Sequence, residues 1–510
     1  MRNTLLLWLT VPGLCVSAAP AQPAPSAPDP ARAMSDFLKA YWDPDRGLFL
    51  AWNRSAPFAR PSGAGPGGGK YSDFWWAAQL WDLVLDAAAR DPDNAADRAL
   101  IAQVYDGFQA AYPEWQNDFN DDLGWWAQAA TRAAALTHDA RYQQRAEALF
   151  TDIWRSWTPD LGGGVLWRRS GGTQKNVATN APLVVTAVRL YQATNDPVYL
   201  ERARQLYTFV DTRLTDGDAR VYDNIEGGEL RRWDFTYNVG NFVLASLALR
   251  EVTTDPAERA HLLTRAVKSA DWALANLTNA GIFLDEGSGD GGGFKGVLMR
   301  GLAALTREPD LNPGSRARYT DSLRENATQV WNQRRPSDGL VGPDWSSPAG
   351  DGVIESMTAA SAVAALLLAP PPLPGGPVTG NGRYEAENSL REHVNTSVAA
   401  PGFTGRGYVN AFVQDGGFVE FRVNVASAGP YTARLHYSAG AGAAVRSVSV
   451  NGADARPVTL PATPDWQTWA DQDVPLTLPA GASRVRLSFN RLSGDRNWLN
   501  LDHLTLGSRP

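Results

Sequence analysis

Apolar residues recur at three- and four-residue spacing in a long series of segments between about Ala33 and Ala369, the pattern of amphipathic helices that each bury one face. The segments cover residues 71–90, 98–111, 121–136, 140–157, 176–193, 197–214, 235–250, 256–276, 293–306, 315–331 and 354–368. A first helix near residues 33–41 brings the number to twelve. The connections alternate in character. Some are short and polar, such as Thr194-Asn195-Asp196-Pro197, whereas residues 159–173, 215–233 and 283–292 are long and rich in Gly, Asp and aromatics. Helix hairpins joined in this way predict an all-α (α/α)6 barrel whose elaborate loops gather at one end. An open helical solenoid would also give helix pairs, but it has no need of such loops on one side.

The period changes from three-to-four to two after a Pro/Gly-dominated stretch at residues 370–382, read as a linker. Phe418-Val419-Glu420-Phe421-Arg422-Val423 and Tyr431-Thr432-Ala433-Arg434-Leu435-His436-Tyr437 alternate as strands, as do residues 445–450 and 485–489. The reading is an all-β jelly-roll sandwich over residues 383–510. At the other end, a basic residue precedes an apolar run too short to span a bilayer, and Ala18-Ala19-Pro20-Ala21 follows. That is the form of a secretory signal peptide (residues 1–21), followed by a Pro/Ala-rich leader (22–32) and the helical barrel (33–369). A chain of 510 residues exceeds the size at which one core stops growing, in keeping with a multidomain reading.

Charge changes the picture mainly by exclusion. A net charge of −7 gives no electrostatic reason to expect nucleic acid or an anionic membrane surface. Cys15 is the single cysteine and lies in the expected signal, so the secreted chain would carry no disulfide. The 19 tryptophans are the compositional outlier; packing accounts for most, and stacking on sugar rings is the functional use of the remainder.

The densest chemistry is Asn117-Asp118-Phe119-Asn120-Asp121-Asp122-Leu123-Gly124-Trp125-Trp126. Two adjacent carboxylates brought into a cleft repel, which forces their proton affinities apart. Cleavage of a sugar acetal needs that difference, with one group protonated and one ionised. The competing reading is a helix cap plus a first-turn acid favoured by the helix dipole. Neighbouring helical residues diverge by about 100°, so a shared target requires at least one of the pair to sit in the non-helical cap. Asp285, Glu286 and Asp290 form an acidic, Gly-rich stretch whose spacing does not match an EF-hand, and it reads as a solvated loop.

Several blocks in order resemble glycoside hydrolase family 76, the endo-α-1,6-mannanases. They are Asp121-Asp122 with Trp125-Trp126, Gly163-Gly164-Val165-Leu166-Trp167, Lys175-Asn176-Val177-Ala178-Thr179-Asn180, Phe235-Thr236-Tyr237-Asn238-Val239-Gly240 and Phe294-Lys295-Gly296-Val297-Leu298-Met299-Arg300. The resemblance implies a retaining double displacement, with Asp121 as nucleophile and Asp122 as general acid/base; residue physics leaves their order open. No cofactor is expected for catalysis. Trp75, Trp76, Trp125 and Trp126 become candidates for stacking on sugar. Asn176, Asn180, Tyr237 and Asn238 become candidates for bonding sugar hydroxyls or capping helices. Lys295 and Arg300 become candidates for holding carboxylates or backbone carbonyls. Asn120 stands where an aromatic is expected, a departure that bears on local sugar contacts.

The C-terminal segment resembles carbohydrate-binding modules of families 6 and 35 in Tyr384-Glu385-Ala386-Glu387, Phe403-Thr404-Gly405-Arg406-Gly407-Tyr408-Val409, Trp466-Gln467-Thr468-Trp469 and Asn497-Trp498-Leu499-Asn500-Leu501-Asp502. This implies a structural Ca²⁺ on Glu385, Glu387 and Asp502, hard oxygen donors suited to it. It also implies a glycan site at Tyr408, Trp469 and Asn500, with Trp466 or Asn497 as substitutes. The whole reads as a secreted, monomeric, endo-acting hydrolase of α-1,6-linked mannan, without membrane insertion or a nucleic-acid partner. Transglycosylation, another (α/α)6 glycosidase or lyase, and a non-catalytic glycan-binding protein remain as alternatives.

Overall fold

The structure, a computed structural model, describes residues 28–53, 65–279, 281–370, 383–405, 407–425, 428–453, 455–479 and 481–508. The expected signal peptide, residues 22–27 of the leader and residues 371–382 of the linker lie outside the described residues. Among the described residues, the first part of the chain has twelve long helices: α1 Pro30–Tyr41, α2 Phe74–Arg90, α3 Ala95–Ala111, α4 Asn120–Thr137, α5 Ala140–Trp154, α6 Val177–Thr194, α7 Pro197–Arg213, α8 Thr236–Val252, α9 Pro256–Asn276, α10 Gly291–Thr306, α11 Pro313–Asn332 and α12 Ser356–Leu368.

Local chemistry sets their ends. The leader read to residue 32 yields to α1 at Pro30, because Asp29 accepts from the Arg32 amide (3.0 Å) and proline suits the first helical position. Asn94 likewise caps α3 and starts it before residue 98. The helix predicted to reach residue 157 stops at Trp154, where the Ser156 and Trp157 amides turn back to Ile153 and Trp154.

The even-numbered helices form an inner ring. Each packs on the next, α2 on α4, α4 on α6, α6 on α8, α8 on α10, α10 on α12, and α12 returns to α2. The odd-numbered helices back them from outside. This is the (α/α)6 barrel. Inner helices are apolar nearly all round because both sides are covered; α12 (Ser-Met-Thr-Ala-Ala-Ser-Ala-Val-Ala-Ala-Leu-Leu-Leu) is buried along almost its whole length. Gly240 in α8 permits a close crossing: a Cβ there would stand 2.5 Å from the Val297 carbonyl of α10. The inner helices enter the ring from one end, so their N-termini and the long loops before them face the same side.

The second part is an antiparallel sandwich. One sheet orders Asn395–Ser397, Tyr408–Asn410, Asn500–Ser508, Gly429–Ser438 and Ala470–Leu478, with Arg383–Glu385 also pairing with Asn500–Ser508. The other orders Arg456–Leu460, Ala444–Val450, Gly481–Ser488, Phe418–Val425 and Leu390–Glu392. Val419, Phe421, Leu435, Leu487 and Leu501 from the inner faces make its core.

Candidate active site

At the loop end of the barrel lies a cavity of about 650 Å³, the size of a small-ligand site, and both Asp121 and Asp122 line it. Neither is the helix cap. Phe119 occupies that position without a side-chain bond, and both acids sit in the first turn of α4. The expectation that one must lie in the non-helical cap was too strict. Cα–Cβ bonds tilt toward a helix N-terminus, so first-turn side chains converge over the helix mouth despite their angular separation. The same helix end favours negative charge.

The start of α4 is stitched to the Gly-rich loop. The Asn120 amide donates to the Trp167 carbonyl and the Asn120 side chain to the Leu166 carbonyl, both at 2.8 Å. Asn120 is thus buried structure and does not line the cavity. The stitching sets Trp167 beside Asp121, and its indole N–H donates to Asp121 Oδ2 at 2.9 Å. Lys175 holds the loop from behind, donating to the carbonyls of Thr158, Asp160 and Gly163.

The two carboxyls live in different surroundings. Burial pushes Asp121 up to about 7, held from going higher by donation from Trp167, nearby amides and Asn176. Asp122 is pushed well above the usual carboxylate range by burial first, then by the charges of Asp121 and Asp73, with Asp290 adding to them; Asn117, donating at 2.7 Å, opposes the rise. The pair is coupled, so its protons leave in two steps that belong to both groups, and the hydrogen bonds from Trp167, Asn176 and nearby amides favour charge at Asp121.

Trp75 and Trp125 line the cavity beside the pair, their rings 6.3 Å apart and 31° from parallel. Trp76 and Trp126 do not line it: both are fully buried. The Trp76 indole donates to Asp290 (2.8 Å), and Trp126 donates to the Phe74 carbonyl while packing on Phe108. Asn176 lines the cavity and caps α6, accepting from the Thr179 amide. Tyr237 lines it too, its hydroxyl donating to Asp223.

Four other candidates do not line the cavity. Asn180 is buried and ties the Val165 amide and carbonyl to the Asn176 carbonyl. Asn238 is fully buried, away from the cavity. Lys295 donates to the carbonyls of Leu284 and Pro343, over the Trp345 ring. Arg300 pairs with Asp82 and Asp86.

Sequence reasoning missed Trp167, Asp73, Asp223, Asp290 and Trp233, all on the cavity wall. Asp290 and Glu286 were read as solvated loop acids. Asp290 is exposed, as read, and also accepts from the Trp76 indole, whereas Glu286 is half-buried and accepts from the Thr236 amide at the start of α8. Asp285 is exposed, as read.

In the sandwich, Asp502 occupies a β-bulge: His436 pairs with His503 and Tyr437 with Leu501, leaving Asp502 unopposed and fully buried. Glu385, Asp502 and His503 bring ligand atoms within 4.8 Å of one another. Thr404 binds Asp502 through its amide and Glu385 through its hydroxyl. Gly405 crosses over the cluster; a Cβ there would lie 2.3 Å from Glu387 Oε1 and 3.1 Å from the Glu385 carboxyl. Burial, with the Asp502 charge adding, pushes Glu385 up. The cluster that the structure gathers is Glu385, Asp502 and His503, with Glu387 beside Glu385 under the glycine but outside that cluster; the carboxylates among them are donors suited to a hard cation.

The glycan candidates of this domain are less open than expected. Tyr408 is buried, accepts from the Ala400 amide and abuts Trp469 edge-on; Asn500 is buried and donates to Ser438. Trp469 is half-buried, donates to the Pro401 carbonyl and stacks on His436.

Comparison with known proteins follows the same division. The profile described as Glycosyl hydrolase family 76 matches residues 31–377, and that of Carbohydrate binding module (family 35) matches residues 382–508. Among solved structures, the GH76A alpha-1,6-mannanase from Salegentibacter sp. HEL1_6 superposes with a TM-score of 0.60 at 28% identity, covering 66% of this chain and 97% of that one. An inactive variant of that enzyme, with two consecutive aspartates replaced by asparagine, was solved with alpha-1,6-mannotriose. A Listeria innocua protein matches at 29% identity and TM-score 0.60, covering 67% of this chain and 95% of that one. A putative mannan endo-1,6-alpha-mannosidase of Schizosaccharomyces pombe is 29% identical over 208 residues, 36% of this chain and 46% of its own length. An isomaltosyltransferase of Sporosarcina globispora is 34% identical over 123 residues, 24% of this chain. The match spans 11% of that transferase and just under half of the Schizosaccharomyces pombe protein.

Proposed function

The chain belongs to glycosyl hydrolase family 76, and from that premise we propose that it is a secreted, retaining endo-α-1,6-mannanase. The observation that carries the reading is the pair Asp121 and Asp122, consecutive in the chain and lining one cavity, where burial raises both carboxyls but their hydrogen-bond partners and neighbouring charges differ. Asp121, the more readily ionised, attacks the anomeric carbon. Asp122, which keeps its proton, passes it to the departing glycosidic oxygen. In the second step Asp122 takes a proton from water as that water displaces Asp121, which restores both groups. Trp75 and Trp125 offer indole faces to the sugar, while Asn176 and Tyr237 present polar groups to its hydroxyls. The likeness to a mannanase whose double Asp→Asn variant is inactive supports the same assignment.

Incubation with mannans of defined linkage tests it. Short oligomers from α-1,6-mannan, released with retained anomeric configuration by NMR, are expected; mannose alone, inverted products or no cleavage would overturn the reading. An acceptor sugar in the same assay reads transfer to that sugar as longer products.

The pH profile tests the assigned roles. Activity is expected to fall at acid pH, as Asp121 becomes protonated, and at alkaline pH, as Asp122 loses its proton. Trp167→Phe removes a donor that favours ionised Asp121, so its pKa rises further. The acidic limb of kcat/KM should move to higher pH while the alkaline limb moves little. An unmoved acidic limb would remove Asp121 from the nucleophile role.

The sandwich is proposed to bind glycan and raise the barrel's local concentration on its polymer. Glu385, Glu387 and Asp502 are proposed to hold Ca²⁺, which would neutralise their mutual repulsion and fix the Thr404–Gly405 segment. Calorimetric titration with Ca²⁺ should show a single site, lost in Asp502→Asn, and chelation should lower the melting temperature of the sandwich. Melting unaltered by chelator would count against the ion.

A further inference from the structure

Trp233 is the one large apolar side chain on the cavity wall that stands mostly in solvent, with 56% of its surface exposed among the described residues. Its neighbours on both sides are tied down. The Arg232 guanidinium donates to the Tyr222 hydroxyl at 3.2 Å and lies 5.0 Å from that ring. Asp234 accepts two bonds from Arg220, at 2.8 and 2.5 Å. Phe235 then packs against Tyr237 and Phe294 as α8 begins. The backbone at Trp233 is therefore held, and the indole projects from a fixed point rather than folding into the core. Leaving so large an apolar surface wet is unfavourable unless something covers it.

Its position identifies what that cover would be. Asn176, which reaches Asp121, pairs with Asn224, and Asn224 pairs with Arg231 across the short hairpin of Asn224–Glu226 and Glu229–Arg231. Two strand spacings, about 10 Å, thus separate Asn176 from Arg231, and the chain continues from Arg231 to Trp233 along the rim. Asn176, Asn224, Glu226, Arg231 and Trp233 all line the same cavity, so the wall runs outward from the carboxylate pair and ends at an open indole face.

We propose that Trp233 is the platform of a distal sugar subsite, stacking on a residue of the glycan beyond the ring under attack and so setting the preference for longer chains. The proposal rests on the mannanase reading above. Interactions remote from the reacting bond contribute binding that short substrates cannot reach, so chain length is the discriminating variable.

The experiment measures kcat and KM for a ladder of α-1,6-mannooligosaccharides with the full chain and with Trp233→Ala and Trp233→Tyr. Trp233→Ala should raise KM about tenfold for long oligomers, equal to about 1.4 kcal/mol, with kcat unchanged and the shortest cleaved oligomer unaffected. Trp233→Tyr should recover most of the loss. A uniform loss across all lengths, or a fall in kcat with a lower melting temperature, would indicate a structural role and overturn the proposal. An unchanged length dependence would overturn it too. No turnover by the unsubstituted enzyme would instead sink the mannanase reading, and the subsite with it.

Discussion

Asp121→Asn and Asp122→Asn should each cut kcat by about a thousandfold or more, with the protein still folded. The first variant lacks the attacking oxyanion, since an amide is a poor nucleophile at carbon. The second lacks the proton that must reach the leaving oxygen. Stability should move in the opposite direction. In an unfolded chain an aspartate titrates near 3.9, whereas folding raises Asp121 to about 7 and Asp122 above the usual range. Between those values the folded state binds more protons than the unfolded one, so stability falls as pH rises through that window and is unpenalised below about 3.9. Asparagine is nearly isosteric and carries no charge, which removes the penalty. Each variant should therefore melt above the parent at pH 8, with the gap closing toward pH 4. Retained turnover in either variant would end the catalytic assignment. A gap independent of pH would show that the pair is not the buried, like-charged unit described above.

The barrel was legible because its signal is repeated. Twelve helices each carry their own three-to-four periodicity, and the alternation of short and long loops separates a toroid from other helical arrays. Ends were harder to read, since a cap such as Asn94 adds a turn that the apolar pattern does not mark. The site was legible at Asp121 and Asp122, where chain adjacency alone brings the groups together. It was half legible at the tryptophan doublets: neighbouring helical side chains point about 100° apart, so one of each pair reaches the cavity and the other the core, and composition does not say which. Trp75 and Trp125 went outward, Trp76 and Trp126 inward.

Other misses share one cause. Long loops at the barrel mouth carry carbonyls and amides that no helix or sheet satisfies, and buried polar groups need partners. Asn180 and Lys295 are polar side chains that meet those groups, so residues resembling sugar binders turn out to brace the loops. Conversely, Trp167, Asp223 and Asp290 arrive on those loops from distant positions, and their meeting with the acid pair is a property of the closed ring rather than of any local spacing. In the sandwich the same holds for Asp502, whose burial depends on a bulge opposite residues more than sixty positions earlier.

Arg300 offers the sharpest test of that division between binding and bracing. It stands on α10, and its guanidinium crosses to α2, where it meets Asp86 at 2.8 Å, Asp82 at 3.1 Å and the Gln79 amide oxygen at 2.9 Å. In the ring, α12 lies between those helices, and its alanine-rich sequence makes it slender. Arg132 approaches the same two acids from α4, at 2.5 and 2.7 Å. Burial pushes Asp82 up, yet Arg132 and Arg300 outweigh it and hold the carboxyl below its usual range. The Asp86 side chain has no solvent exposure at all. Removing one cation from such a group leaves buried charge short of a partner, a change that costs about 3–5 kcal/mol. Arg300→Met keeps most of the side-chain volume, so the loss would reflect charge rather than a void. The variant should therefore unfold at markedly lower urea concentration than the parent, while KM for mannan, measured well below its melting point, stays the same. Adding Asp86→Leu should restore part of the stability, because Arg132 keeps Asp82 and the carboxylate left short of a cation is gone. A sugar-binding Arg300 would give the reverse pattern, a raised KM with unchanged unfolding, and would place this end of the barrel within reach of substrate.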